Sequence, residues 1–246
     1  MYSLLMFLAL FILIFLGFPV AFSLISVAFA FGLITFGDAV IFQFISKIEG
    51  ISTNFILAAV PLFVFMGSML ERSGIAQQLF SAIHMWTRKL PGGLSIGTVI
   101  MCIIFAASTG VIGATETVVG LLAIPAMLKH NYSHSLISGT ICAGGSLGTI
   151  IPPSVVVVVL GPIADVSIGD LMVGMLIPGL ILALLYIIYI FLLCLVKPEN
   201  GPRINTDDEI SRLTLNQKLV ITVKALIPPL LMIFAVLGSI MLGWAA

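Results

Sequence analysis

The chain has 246 residues, of which 61% are hydrophobic and only 8% charged, and its net charge is zero. Soluble domains carry roughly 25% charged residues, so a soluble globular protein is excluded. With no basic excess, no nucleic-acid partner is expected.

The N-terminus, Met1-Tyr2-Ser3-Leu4, has no basic region and no small-residue cleavage motif after a short apolar run. It reads as a retained membrane segment and not as a cleaved signal. Leu4 to Phe36 is apolar throughout. A spanning helix needs ~20 apolar residues, so this stretch is too long for one upright crossing. Gly17-Phe18-Pro19 interrupts it, and one long broken crossing or two short ones both fit. Gly37 to Ser52 holds Asp38, Lys47 and Glu49 and reads as a loop; Asn54 to Leu70 reads as the next span, with Pro61 inside it.

From Glu71 to Pro91, Ile75, Leu79, Ile83 and Trp86 recur at helical spacing while Gln77, Gln78 and Arg88 fall elsewhere. That pattern predicts an amphipathic helix lying in the membrane interface, ended by Leu90-Pro91-Gly92-Gly93. Gly92 to Met127 is apolar again, with one charge, Glu116, and a polar knot at Ser108-Thr109-Gly110. A re-entrant helical hairpin or two short spans would account for it. Lys129 to His134 reads as a polar loop.

Leu136 to Ala164 carries no charge but is interrupted by Gly144-Gly145-Ser146-Leu147-Gly148-Thr149-Ile150-Ile151-Pro152-Pro153-Ser154. Adjacent prolines remove two backbone donors and obstruct the preceding turn, which predicts a broken helix. At membrane depth such a break survives only where protein or water satisfies the freed groups. Asp165 to Asp170 is a short loop, and Leu171 to Val196 a clean span with Pro178-Gly179 near its start. Lys197 to Lys218 is a polar connector, in which Thr206 followed by Asp207, Asp208 and Glu209 resembles an N-cap and an acidic first turn. Leu219 to Trp244, containing Pro228-Pro229, is the last span.

Basic residues near span ends set topology. Arg88, Lys89, Lys129, Lys197, Arg203, Arg212, Lys218 and Lys224 flank three connections, and all three face one side if 92–127 enters and leaves by the same face. The connector 197–218 is then cytoplasmic and 37–52 external.

Two breaks rich in Gly, Ser and Thr stand out. The first offers Ser108, Thr109, Gly110, Gly113, Thr115 and Glu116; the second offers Gly144, Gly145, Ser146, Gly148, Thr149, Pro152, Pro153 and Ser154. Hydroxyls and freed carbonyls supply the oxygen ligands that a sodium ion needs, and half-helix N-termini can hold a substrate carboxylate. A structural kink with hydroxyls bonded back to their own helices is the competing reading. Glu116 could join a cation site or proton relay, or face a water-filled vestibule near the turn. His130 and His134, although spaced for a metal pair, read as interfacial loop residues. Trp86 and Tyr132 read as interface anchors. Cys102, Cys142 and Cys194 read as isolated buried thiols with no disulfide framework. No phosphate-binding loop, serine elbow or zinc-protease motif appears, and no catalytic residue or cofactor is expected.

Several stretches together resemble the large membrane subunit of tripartite ATP-independent periplasmic (TRAP) transporters, the DctM-like permease. They are Gly17-Phe18-Pro19-Val20-Ala21-Phe22, Pro61-Leu62-Phe63-Val64-Phe65-Met66-Gly67, Arg72-Ser73-Gly74-Ile75-Ala76, Ser108 through Thr115, Ala143 through Gly148, Ile151-Pro152-Pro153-Ser154 and Ile177-Pro178-Gly179. The resemblance implies a sodium-coupled elevator importer of organic acids (carboxylates) in the bacterial inner membrane, a transporter and not an enzyme. The fold implied is all-α and polytopic, with inverted repeats each contributing a hairpin and a broken helix. The partners implied are a small TRAP membrane subunit, a periplasmic substrate-binding protein and the lipid bilayer, with Na+ as coupling ion.

On that pattern, 1–91 forms scaffold helices plus an interfacial arm, 92–164 a transport-domain hairpin and discontinuous helix, 165–218 a spanning helix and cytoplasmic arm, and 219–246 the start of a second repeat. Glu116 stands where a small or apolar residue is expected. Because the family's large subunits are longer, the missing second repeat is expected on a longer or separate chain, without which the site is incomplete. A divalent-anion/sodium symporter without binding protein, a membrane-embedded hydrolase and a non-transporting truncated relic are the competing readings.

Overall fold

A computed structural model describes residues 2–54, 57, 59–110, 112–164, 166–203 and 214–242. The expected cap at Thr206 with its acidic turn, and Arg212, lie outside the described residues. The chain divides into two compact units, residues 1–55 and 56–246.

The first unit holds α1 (Tyr2–Phe15), α2 (Val20–Phe36) and α3 (Ala39–Ser52). The apolar N-terminal stretch is thus two helices, parted by Leu16–Pro19 with Gly17 at φ +90°. Gly37, at φ +56°, closes α2 and turns the chain into α3. The two pack closely: a Cβ on Gly32 would stand 3.1 Å from Val40, and the rings of Phe29 and Phe44 meet edge-on at 5.4 Å. Residues 39–52 are therefore helical, not the expected loop. Charges at Lys47 and Glu49 mark an exposed face, whereas Val40 and Phe44 supply a packing face against α2.

The second unit begins with α4 (Ala59–Arg72) and α5 (Ile75–Thr87). Pro61 sits in the first turn of α4, where a missing N–H breaks no intrahelical bond. Gly74, at φ +75°, turns α4 into α5. The apolar face of α5 buries Ala76, Leu79, Ala82 and Ile83 and leaves Gln77 and Gln78 outside, as the spacing predicts. Two residues reverse the expectation at its end. Trp86 is exposed and donates to Thr222 Oγ1 at 2.9 Å, and Arg88 is buried.

Next come α6 (Gly93–Thr109) and α7 (Ile112–Lys129), which fold back on each other, then α8 (His134–Ile150) and α9 (Val155–Ala164), bent by 44° at the break between them. α10 (Ile168–Val196) and α11 (Leu215–Met241) are the two described helices long and apolar enough to cross a membrane alone, and the bent pair α8–α9 makes a third candidate. The structure is all helical among the described residues, as a polytopic membrane protein requires.

The core of this unit is α6. Val99, Met101, Cys102 and Phe105 are fully buried among Leu79 of α5, Val119 of α7 and Leu147 of α8. Lipid is as apolar as these side chains, so close backbone approach at small residues does more for cohesion here than area burial. Gly144 shows it: a Cβ there would stand 2.6 Å from Cys102 Sγ.

The open ends of the hairpin and of α10 are tied together. Gly92 N–H donates to Gly201 O and Ser133 N–H to Asn200 O, both at 3.0 Å. Tyr132 is buried, not an exposed interface anchor, and its hydroxyl accepts the Leu94 N–H at 3.2 Å. The turn at 130–133, the start of α6 and the residues after α10 thus share one end of the unit. Cys102 and Cys194 are buried as expected, but Cys142 is exposed, since it lies on the face of α8 turned from the core.

Candidate functional site

The hairpin tip is made by Gly110. It caps α6 in the left-handed region (φ +66°, ψ +11°) with its N–H donating to Ala106 O at 2.8 Å. A β-carbon is disfavoured in this conformation. It is also excluded by contact, because a Cβ here would stand 2.8 Å from Pro153 O and 3.2 Å from Val155 N. The carbonyl of Gly110 accepts the Val155 N–H at 3.3 Å. The tip is therefore seated on the break of the discontinuous helix, Ile151–Ser154, and satisfies one of the donors that the break exposes.

Around that contact lie buried hydroxyls. Thr109 and Thr115 Oγ1 atoms are 3.1 Å apart, and either can donate. Ser108, Thr109, Thr115 and Ser154 are at most 1% exposed. Ser108 Oγ donates to Phe105 O at 2.7 Å. Ser154 Oγ is buried without a hydrogen-bond partner. A buried hydroxyl left unpaired costs about 1–3 kcal/mol, so an oxygen-seeking ligand at this point would recover a real penalty.

The remaining sequence candidates separate by surroundings. Pro152 and Pro153 form the break and are buried. Gly144 and Gly145 lie one turn or more before it, as helix-contact residues: Gly144 faces Cys102, and a Cβ on Gly145 would overlap the Glu116 side chain. Glu116 is half-buried, packed from α7 across α8. Gly148 is buried in the last turn of α8. Ser146 and Thr149 donate to Ala143 O (2.7 Å) and Ser146 O (2.9 Å) of their own helix, leaving their oxygen lone pairs as acceptors. Gly113 is exposed, with open space around it.

Two contributors were not singled out from sequence. Gly67 of α4 approaches the tip so closely that a Cβ would stand 3.4 Å from Thr109 Cβ. Gly179 of α10 does the same at the break, 3.3 Å from Ile150 O. Each glycine was visible beside a proline or aromatic run, but its partner lies far along the chain. No cluster of His, Cys, Asp and Glu able to hold a metal occurs among the described residues. The donor set is hydroxyl and carbonyl oxygen, which suits a hard alkali cation and not a soft transition metal.

An all-α polytopic membrane protein whose helical hairpin docks on a broken helix is the class that fold and site define. The chain belongs to the DctM family: the description "Tripartite ATP-independent periplasmic transporter, DctM component" matches residues 7–246. It is 32% identical over 197 residues to the C4-dicarboxylate TRAP transporter large permease protein DctM of Pseudomonas aeruginosa, covering 80% of this chain and 44% of that protein. It is 31% identical over 191 residues to the ectoine/5-hydroxyectoine large permease UehC of Ruegeria pomeroyi, covering 76% and 44%. The sialic acid large permease SiaM of Vibrio cholerae is 33% identical over 159 residues, covering 65% and 37%. The matches thus span less than half the length of these relatives, which are permeases and not enzymes.

Proposed function

We propose that the chain carries one part of the ion and substrate site of a sodium-coupled, binding-protein-dependent permease that imports organic acids across the bacterial inner membrane. Sodium binds between the hairpin tip and the break, held by oxygens of Ser108, Thr109, Gly110, Thr115, Thr149 and Ser154. The substrate carboxylate sits beside it, close to the N-terminal end of α9, where the aligned peptide dipoles favour an anion. Glycines 144, 145 and 148 let α8 approach α6 and α7 closely enough to hold the two breaks in register.

The observation that carries this reading is the seating of Gly110 on Pro153–Val155 beside the unpartnered Ser154 hydroxyl. Length supports it as well. α6, at 17 residues, rises about 25 Å, short of the ~30 Å hydrocarbon core, so its tip ends within the membrane and not beyond it. Residues 92–164 then move as the transport element, while α5 and the connector after α10 act as arms. A second repeat, on the same or another chain, supplies the rest of the pocket. The small membrane subunit braces the assembly and the periplasmic binding protein delivers substrate.

The three relatives above bear names for a dicarboxylate, an ectoine and a sialic acid, which favours carboxylate-bearing substrates as the class without choosing among them. The test is uptake by the permease containing this chain, co-reconstituted in proteoliposomes with its small subunit and binding protein. Radiolabelled carboxylate should accumulate under an inward sodium gradient and not under potassium. Equal uptake in both would sink the coupling claim.

A further inference from the structure

A second polar feature lies at the other end of the unit from the hairpin tip. A cavity of about 320 Å³ opens between the first half of α8 and the last half of α10. Its wall includes Ser133, Ser135, Thr140, Tyr186, Ile190 and Asn200. The polar residues Ser133, Ser135 and Asn200 sit at the end where the α7–α8 turn meets the residues after α10; Thr140 with aliphatic and aromatic residues lines the rest. Among the described residues no charged side chain lines it. Ser135, Gly139 and Tyr189 of the wall are exposed, so the cavity is open along that flank.

Two independent observations point to an occupant. The polar end lies at the N-terminus of α8, a helix of 17 residues whose partial positive charge favours an anion. Deeper in the wall, Thr140 is 2% exposed and its Oγ1 has no hydrogen-bond partner. Three other hydroxyls of α8 do not behave this way. Ser138, Ser146 and Thr149 all donate to carbonyls of their own helix at 3.0 Å or less. A threonine that declines the same back-bond in an apolar setting is suited to an incoming acceptor.

We propose that this cavity is a phospholipid site. The phosphate diester lies at the N-terminus of α8 beside Ser133, Ser135 and Asn200. An acyl ester carbonyl accepts the Thr140 hydroxyl, and the acyl chain runs along Leu136, Ala143 and Ile190 towards the membrane centre. The spacing suits it, since Ser135 and Thr140 are separated by about 7.5 Å of helix rise, within the span from a phospholipid's phosphate to its ester groups. The gradient from polar mouth to apolar floor is that of a lipid and not of a small polar solute. A lipid held here would touch α8, α10 and the tie at Asn200 together. The proposal stands apart from the sodium site and requires only that the chain be embedded in a bilayer.

The test is native mass spectrometry of the chain extracted from vesicles of equal parts phosphatidylethanolamine and phosphatidylglycerol. The wild type should retain one phospholipid. Gly139→Trp should abolish retention by filling the cavity, and the fold should stay intact, because a β-carbon added at 139 meets nothing within 4 Å. Thr140→Val keeps the shape and removes one hydrogen bond, so retention should fall about fivefold. Circular dichroism of both variants should match the wild type. Equal retention in all three proteins, no retained lipid in the wild type, displacement by inorganic phosphate alone, or a polypeptide in place of the lipid mass would each overturn the assignment.

Discussion

Tyr132 carries more structure than its place in a short turn suggests. Its hydroxyl accepts the Leu94 N–H, one of the first-turn donors of α6 that no helical carbonyl can reach. Burial is the main cause that pushes its phenol from 10.0 up to about 12, and the Leu94 hydrogen bond opposes the shift. The sign follows from proton counts. Above pH 10 the unfolded tyrosine releases its proton while the folded one keeps it, so the stability this residue contributes is intact below pH 10 and declines as pH rises from 10 towards 12. Tyr132→Phe should lose about 1 kcal/mol at neutral pH by stranding the Leu94 N–H. It should also flatten the drop in thermal midpoint between pH 10 and 12, measured in detergent. An unchanged alkaline profile would show that the phenol is not shielded.

Sequence placed Tyr132 at the interface because aromatic residues cluster there. It could not show that an amide 38 residues earlier would need its hydroxyl. Arg88 and Trp86 exchanged places for the same kind of reason. Helical spacing fixes which way a residue points, but not which neighbour arrives from α11 to meet it.

Among elements, the proposed site joins the hairpin to the broken helix, and both glycine and proline signals need their surroundings to be read. Pro152-Pro153 breaks a helix, yet Pro228-Pro229 lies inside α11 without ending it. The difference is what stands beside them. Ahead of the first pair, residues 144–149 are Gly, Gly, Ser, Leu, Gly and Thr, and after 153 a separate element, the tip at Gly110, takes up a freed donor. Around 228 the neighbours are leucine and isoleucine, good membrane-helix residues, and no described tip docks there. A break was legible because composition and proline agreed, but it spans only 151–154, since 144–150 continue α8 and pack it on its neighbours. The helix at 39–52 was not, because its polar residues mask a packing face that only α2 reveals.

Gly110 and Gly113, three residues apart at the same tip, should respond in opposite ways. Gly110→Ala must hold a β-carbon in the left-handed region, at roughly 1–2 kcal/mol, and press it on Pro153 O. It should lower the thermal midpoint and abolish transport. Gly113→Ala meets open space within α7 and should be neutral or raise stability by up to about 1 kcal/mol, since alanine is the better helix former. Equal effects at the two positions would contradict the docked tip, and paired melting curves in detergent decide it.

Over the whole molecule, sodium coupling is the claim that everything else serves. The second repeat is not needed to test it, because both elements of the proposed cation site, tip and break, are in this chain. Composition made the membrane assignment legible, and motif order made the family legible. The meeting of Gly110 with Pro153–Val155 was expected only from family resemblance, since no local pattern encodes a contact between them. The decisive measurement is the thermal midpoint of the purified chain in sodium chloride against potassium chloride at equal ionic strength, for the wild type and Ser154→Ala. The wild type should be stabilised selectively by sodium, and Ser154→Ala, which removes the unpartnered hydroxyl, should lose that selectivity while melting no lower in potassium. A wild type indifferent to the choice of cation, or a variant that keeps the full sodium shift, would contradict the account.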